Sequence, residues 1–326
     1  MTALLRVDDL MRAFPVRRGV VDVLMGRPAR VVHALAGLTL TVERGETLAL
    51  VGESGCGKST LARALVRLIA LDDGQIDYDG QDVRALTGEA LRHYNRRVQM
   101  VFQDPYGSLN PRMTVGETLT EALLVHRMRP PAQIPVRVEE LLDLVRLPQN
   151  AAQRLPREFS GGQRQRIAIA RALAVEPELL IADEIVSALD VSVQAQIINL
   201  LLDMQERLGL AILFVSHDLR VVRHLAHRIA VMYLGRVVEY GPSERVLIGP
   251  WHPYTQALLR AAPVLKPGPR STEIALRGEL PSPMQEVSGC PFHPRCPSAM
   301  DHCRSEAPRL RVKDGHGAAC HLVSEV

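Results

Sequence analysis

The feature that most constrains this chain is a glycine-rich stretch of nine residues between an apolar strand pattern and a helical pattern. It reads Gly52-Glu53-Ser54-Gly55-Cys56-Gly57-Lys58-Ser59-Thr60. Glycines allow the backbone to curl so that amide N–H groups and a helix N-terminus face an anion. The lysine fits the β- and γ-phosphates, and the hydroxyl that follows fits magnesium. The stretch therefore predicts a P-loop, which nucleotide hydrolases, kinases and helicases share.

Composition sets the class of protein more loosely. The chain has 326 residues, of which 47% are apolar and 23% charged, and this predicts one large globular domain with a small appendage. A formal charge of +3 is too small to indicate nucleic acid as a partner. The longest apolar run has six residues, whereas a membrane-spanning helix needs about 20. With no secretory signal pattern at residues 1–10, we expect a cytosolic location.

The periodicity of apolar residues predicts an α/β fold. Residues 4–51 alternate as strands do, and a loop is expected at residues 15–32. After the P-loop, Leu61, Leu65, Leu68 and Ile69 fall on one face at helical spacing.

The second half of the chain shows the same alternation of helices and strands. Residues 85–160 are mainly helical, with segments near 116–127 and 137–146 separated by the proline-rich residues 129–135. Strand patterns at 179–182 and 211–215 flank a helix. One face of that helix carries Val193, Ile197, Leu201, Met204 and Leu208. We expect a parallel sheet with flanking helices and an inserted helical subdomain.

A second motif narrows the class. Ser160-Gly161-Gly162-Gln163 precedes an amphipathic helix, and with the P-loop it resembles the ABC ATPase family over residues 4 to about 250. The resemblance implies a RecA-like parallel sheet core, an antiparallel β subdomain and an inserted helical subdomain. It also implies that these four residues complete the ATP site of the opposite subunit in a head-to-tail dimer.

The resemblance implies roles for further residues. Asp183 and Glu184 end an apolar strand, and they match the magnesium ligand and the general base of the family. Gln103 matches the glutamine that joins the metal site to the helical subdomain, and His217 matches the switch histidine at the γ-phosphate. The magnesium ligands are then Ser59, Gln103 and Asp183.

Three further sequence features bear on the expected nucleotide site. Ser187-Ala188-Leu189-Asp190 resembles the loop through which the two subunits sense each other. Phe14 is the candidate for stacking on adenine. Ile185-Val186 stand where the family usually has Pro-Thr, so backbone stiffness is reduced there while hydrolysis is expected to survive.

Two stretches outside the nucleotide site resemble the oligopeptide and dipeptide importer ATPases. They are residues 104–111, DPYGSLNP, and residues 252–259, HPYTQALL. The resemblance implies a bacterial importer subunit, peripheral at the cytoplasmic membrane face, that drives peptide uptake. The implied partners are two transmembrane permeases, a paralogous ATPase or a second copy of this chain, and an extracytoplasmic binding protein. Nickel chelates, glutathione or sugars as solutes remain open, as do a soluble ABC ATPase and a non-enzymatic regulatory subunit.

The last part of the chain is rich in cysteine. Cys290, Cys296, Cys303 and Cys320 lie in a segment with many proline and glycine residues, similar to the C-terminal extension of these importers. We expect a nucleotide-binding domain at 1–263 and an extension at 264–326. Four thiolates fit a [4Fe–4S] cluster, to which the resemblance points, or zinc with His293, His302 or His321 replacing one of them. Reduced cysteines without a metal are the third alternative.

Overall fold

A computed structural model describes residues 3–16, 25, 31–261 and 287–323. Most of the loop expected at residues 15–32 lies outside this described part. The described residues fall into two compact units. The first contains Val42–Thr47 and Val83–Val215, and the second contains Ala3–Thr41, Leu48–Asp82 and the described residues from Ser216 onward.

The elements alternate along the chain as an α/β fold requires. The strands are β1 (Ala3–Pro15), β2 (Val31–Glu43), β3 (Thr47–Val51), β4 (Asp73–Tyr78), β5 (Gln81–Asp82), β6 (Val98–Val101), β7 (Leu179–Asp183), β8 (Ala211–Ser216), β9 (Arg228–Tyr233), β10 (Arg236–Pro242), β11 (Arg311–Lys313) and β12 (His316–Ala318). The helices are α1 (Lys58–Leu65), α2 (Gly88–Arg97), α3 (Pro105–Ser108), α4 (Val115–Val125), α5 (Ile134–Leu144), α6 (Gly161–Leu173), α7 (Val191–Leu208), α8 (Leu219–Leu225), α9 (Ser243–Ile248) and α10 (Pro253–Ala261). Short 3₁₀ turns lie at Pro131–Gln133, Gln149–Gln153, Pro156–Glu158, His293–Arg295 and Asp301–Arg304.

The second unit is built on two groups of strands. One is a sheet in the order β2-β1-β4-β5. In the other, β3 pairs with β9 in parallel and β9 pairs with β10 antiparallel. The C-terminal strands continue this group, because Glu239 of β10 faces Ala318 of β12 in an antiparallel ladder. The cysteine-rich tail is thus attached to the strands that carry the P-loop.

The first unit contains the three parallel strands β6, β7 and β8. Leu179 of β7 is in register with Val98 on one side and with Ala211 on the other. Every residue of β7 and β8 is buried, which is typical of parallel strands covered on both faces. Their carboxyl ends meet at one edge, so this edge carries Asp183 and the start of the segment after it.

The inserted helices confirm the predicted pattern, with one boundary shifted. Thr114 accepts a hydrogen bond from the Glu117 amide while the Glu117 carboxylate accepts one from Thr114, and this capping box starts α4. The sequence predicts that the proline-rich stretch ends at residue 135, but α5 begins at Ile134 and includes Pro135 in its first turn. Proline is tolerated there because first-turn amides have no partner within the helix.

Two apolar residues expected on buried helix faces are exposed. Helix α1 ends at Leu65, and Arg67 follows with φ +58°, so Leu68 leaves the helical face and is 62% exposed. Leu208, at the last position of α7, is 53% exposed. Both lie at or just beyond the end of a helix. Within the described residues, no helix combines the length and the apolar character needed to span a membrane.

Candidate active site and cysteine cluster

The P-loop lies in the second unit, between β3 and the start of α1. The Lys58 ammonium donates to the carbonyl oxygens of Gly52 at 2.8 Å and Glu53 at 3.0 Å. Its side chain is buried, so the positive charge is held inside the curl of the loop. The N-cap of α1 is Gly57, which supplies no side-chain cap. A loop with this charge and a helix N-terminus is suited to binding phosphate.

Gly57 has to be glycine. Its φ is +107°, and a Cβ at this position would overlap the carbonyl oxygen of Ala34. Cys56, the residue before it, is 1% exposed. Burial raises the pKa of the Cys56 thiol, so this cysteine is a packed, neutral part of the loop.

The Ser160-Gly161-Gly162-Gln163 motif lies in the first unit and begins helix α6. The Ser160 hydroxyl accepts from the Gln163 amide at 3.3 Å, and the Gln163 side chain accepts from the Ser160 amide at 3.0 Å. Ser160 is exposed, whereas Gly162 is buried. The capping box leaves the serine hydroxyl hydrogen available to a ligand, because the hydroxyl acts as an acceptor in this contact.

Glu184 follows β7 and is held in an unusual backbone conformation. Its φ is +49°, which is uncommon for a residue other than glycine. Its amide donates to the Val215 carbonyl at 3.0 Å, and its own carbonyl accepts from the Ser187 hydroxyl at 2.8 Å. The Gln103 side-chain amide donates to the Glu184 carboxylate at 3.1 Å. The structure therefore brings together Gln103 and Glu184, two of the residues predicted for catalysis.

The remaining predicted residues occupy different places. Asp183 is 2% exposed at the end of β7, and Asp190 is the N-cap of α7. His217 is exposed directly after β8. Phe14 is half-buried on β1, with the Arg12 guanidinium 4.7 Å from its ring centroid.

Ile185 and Val186, which replace the usual Pro-Thr, are 2% and 3% exposed. The Gln194 side-chain amide donates from Nε2 to the Val186 and Leu189 carbonyls, both at 3.0 Å. These contacts hold the turn after Glu184 without proline.

Comparison with known proteins decides the family. The model of the ABC transporter family matches residues 35–187, and that of the oligopeptide/dipeptide transporter C-terminal region matches residues 238–303. The probable peptide ABC transporter ATP-binding protein y4tS of Sinorhizobium fredii is 51% identical over 321 residues, which cover 98% of this chain and 90% of the relative. The chain belongs to the ABC transporter ATP-binding proteins. This confirms the predicted resemblance.

A further relative and a solved structure agree with this assignment. The di/tripeptide transport ATP-binding protein DppF of Pseudomonas aeruginosa is 46% identical over 321 residues, covering 98% of each chain. A dimeric post-hydrolysis structure of the ATP-binding cassette MJ0796, bound to ADP and Pi, superposes with a TM-score of 0.63 at 27% identity, covering 73% of this chain and 98% of that one. The ABC ATPase fold and the ATPase class of this ABC protein are thereby confirmed.

The four tail cysteines of the ABC protein form a second group of neighbouring side chains. Cys290, Cys303 and Cys320 are buried and Cys296 is half-buried. Burial, together with the neighbouring thiols of Cys303, Cys320 and Cys296, raises the pKa of Cys290 to about 11. The sulfur atoms are thus close enough to influence one another.

Three of these thiols share one backbone arrangement. Burial raises the pKa of Cys290, Cys296 and Cys320, and a backbone hydrogen bond with the residue two positions ahead opposes that rise, from Phe292, Ser298 and Leu322 respectively. Backbone N–H groups directed at sulfur stabilise thiolates, so this arrangement fits metal-bound cysteines.

The histidines of the tail differ in their suitability as ligands. The ligand atoms of His302, Cys303 and His321 all lie within 4.8 Å of one another. Two ring nitrogens also contact backbone carbonyl oxygens at 3.0 Å, Nδ1 of His293 with Cys290 and Nε2 of His321 with Glu306. Among the described tail histidines, His302 and His321 are thus the ones with a ring nitrogen close to a cysteine sulfur.

Sequence reasoning missed two residues beside the P-loop. The Glu53 amide donates to the Tyr254 hydroxyl at 2.9 Å, and the Arg295 guanidinium pairs with the Glu53 carboxylate at 2.7 Å. Tyr254 lies in the HPYTQALL stretch and Arg295 between Cys290 and Cys296, and neither position carries a pattern that predicts a role at the P-loop. Their separation from Glu53, 201 and 242 residues, gives no local signal.

Proposed function

We propose that this chain is the ATP-hydrolysing subunit of a bacterial importer of dipeptides or oligopeptides, acting at the cytoplasmic face of the cell membrane. The observation that carries the ATP-binding part is the P-loop. It has a lysine folded into the loop and a helix N-terminus without a side-chain cap. The transport part rests on family membership and on relatives named as peptide transport proteins.

We assign ATP binding first to the P-loop. Its amide groups and the N-terminus of α1 cradle the phosphates, and Lys58 turns from the loop carbonyls to the β- and γ-phosphates. Magnesium, which neutralises phosphate charge, would be held by Ser59, Gln103 and Asp183. Phe14 is proposed to stack on adenine, because its ring is partly accessible.

We assign hydrolysis to the residues around Glu184. Its carboxylate accepts the proton of the attacking water, and the Gln103 contact at 3.1 Å orients it. His217 contacts the γ-phosphate through its exposed ring. The left-handed backbone of Glu184 fits a functional role, since strained conformations persist where the surrounding contacts hold them in place.

The active form is proposed to be a head-to-tail dimer. Ser160, Gly161, Gly162 and Gln163 of one subunit bind the γ-phosphate of ATP held by the other, and Asp190 reports across the interface. The partner is a paralogous ATPase or a second copy of this chain. Two permeases and an extracytoplasmic binding protein complete the complex, and nucleotide-driven closure supplies the stroke.

For the extension, residues 264–326, we propose a [4Fe–4S] cluster held by Cys290, Cys296, Cys303 and Cys320. The mutual influence of the thiols and the three N–H contacts to sulfur support it. Such a cluster would supply electron-transfer or structural chemistry. Zinc bound through His302, Cys303 and His321 is the second candidate, favoured by the proximity of their ligand atoms. Iron and zinc analysis of protein purified without oxygen distinguishes the two.

The test of the proposed function compares ATP turnover and binding in three proteins. Glu184→Gln is expected to lower turnover at least about hundredfold while MgATP still binds, because only the general base is lost. Glu206→Gln, an exposed glutamate on α7, is the matched control and should turn over ATP at the wild-type rate. Equal rates for wild type and Glu184→Gln would refute the assignment of the base.

Transport is tested with the permeases that purify with the chain. Vesicles containing the complex and ATP should accumulate a labelled di- or tripeptide. Uptake of a nickel chelate, glutathione or a sugar instead would change the assigned solute. Failure of the chain to associate with any permease would favour a soluble ABC ATPase.

A further inference from the structure

An ion pair links the cysteine-rich tail to the P-loop. Arg295 ends the 3₁₀ turn His293–Arg295, between Cys290 and Cys296. Its guanidinium donates to both carboxylate oxygens of Glu53, from Nη1 at 2.7 Å and from Nη2 at 3.0 Å. The Arg295 side chain is 5% exposed and that of Glu53 is 24% exposed. Bidentate, charge-assisted pairs of this kind are among the stronger polar contacts in proteins.

The surroundings fix this pair in place. The Arg295 guanidinium lies 5.9 Å from the ring centroid of Tyr233. Phe292, in the same tail segment, packs against Tyr233 and Tyr254 with ring centroids 5.3 Å and 5.4 Å apart. The Tyr254 hydroxyl accepts the Glu53 amide at 2.9 Å. Arg295 therefore holds the side chain of Glu53, and Tyr254 holds its backbone.

The charge of Glu53 would otherwise oppose the function of its loop. A carboxylate within a triphosphate-binding loop repels the anion that the loop has to attract. The bidentate pairing offsets this charge and holds the carboxylate in one orientation. The buried guanidinium in turn requires a counter-charge, since an unpaired buried charge is strongly unfavourable.

We propose that Arg295 is a positioning residue for ATP binding, which acts by neutralising Glu53 and holding the P-loop, so that the folded tail sets the affinity for ATP. The inference rests on the proposed function of the P-loop. It gives the extension a direct role at the nucleotide site, with or without a metal on the cysteines.

The experiment measures MgATP affinity by calorimetric titration of the full-length chain. Arg295→Gln is expected to weaken binding about tenfold, which corresponds to ~1.4 kcal/mol. The double variant Glu53→Gln/Arg295→Gln carries no charge at either position and is expected to bind within about threefold of wild type. Arg309→Gln removes an exposed arginine of the same tail and should leave the affinity unchanged.

The outcomes separate this inference from the proposed function. Wild-type affinity in Arg295→Gln would overturn the inference. A loss of about tenfold in the double variant would also overturn it, and this variant decides the matter if Arg295→Gln folds poorly. A merely structural arginine would not be rescued by the second substitution. If wild type and Lys58→Ala bind MgATP equally, the proposed function fails instead, irrespective of Arg295.

Discussion

Gly162 offers a sharp test of how the Ser160-Gly161-Gly162-Gln163 motif is packed. It is buried in the first turn of α6, and a Cβ at this position would overlap Cγ1 of Val193 on α7. At Gly161, a Cβ would lie 3.4 Å from Leu189 Cδ2, which is ordinary contact. Two adjacent glycines of one motif therefore differ in their tolerance of alanine, and Gly161→Ala is the matched control.

The expected magnitudes follow from this difference. Overpacking a core position costs about 1–3 kcal/mol, and replacing glycine by alanine in a helix returns up to about 1 kcal/mol. Gly162→Ala should therefore lose about 1–2 kcal/mol of unfolding free energy, whereas Gly161→Ala, which meets no overlap, should keep it or raise it by up to about 1 kcal/mol. Val193→Ala alone should cost about 1 kcal/mol, as a half-buried side chain shortened by two methyl groups.

The decisive protein is the double variant Gly162→Ala/Val193→Ala. Removing the valine methyl groups makes room for the new Cβ, so the two losses should not add, and the coupling should be about 1–2 kcal/mol. Urea unfolding followed by circular dichroism measures all five proteins. Additive losses, or a Gly162→Ala variant as stable as Gly161→Ala, would refute the packing argument.

Two further predictions concern the second unit. Burial lowers the pKa of His252 to about 4, so the folded protein favours the neutral ring. The free energy of unfolding is therefore unaffected by this histidine above about pH 6.5 and falls by up to about 3 kcal/mol as the pH drops to about 4. Urea unfolding across this range should show that slope in wild type but not in His252→Gln, and equal slopes would contradict it. Tyr254→Phe leaves the Glu53 amide without its acceptor and should weaken MgATP binding about fivefold, ~1 kcal/mol. Tyr106 is 63% exposed, and Tyr106→Phe should bind MgATP as wild type does in the same titration. Wild-type affinity in Tyr254→Phe would show that this hydrogen bond does not contribute to ATP binding.

Local patterns explain why much of the fold was predictable. The strands β3, β7 and β8 are short apolar runs bounded by turn residues, and they are fully buried as such runs predict. The P-loop was predictable because glycine is needed at positions such as Gly57, where any side chain would overlap the backbone. Both signals are carried by neighbouring residues in the sequence.

Sequence patterns do not predict features that depend on residues far apart in the chain or on an unusual backbone conformation. Leu68 keeps helical spacing, but the left-handed backbone of Arg67 ends the helix, and an arginine carries no signal for that conformation. The sequence does not predict the left-handed backbone of Glu184 either, because the contacts that hold this conformation come from Val215 and Ser187. The Arg295 pair joins residues 242 positions apart, and only the fold brings them together.

The most direct test of the central claim is the affinity of the purified chain for MgATP, measured by calorimetry for wild type and for Lys58→Ala. Because Lys58 carries the charge held within the P-loop, its removal should weaken binding at least about hundredfold, ~3 kcal/mol. Undiminished binding by Lys58→Ala would show that residues 52–60 are not where ATP is held.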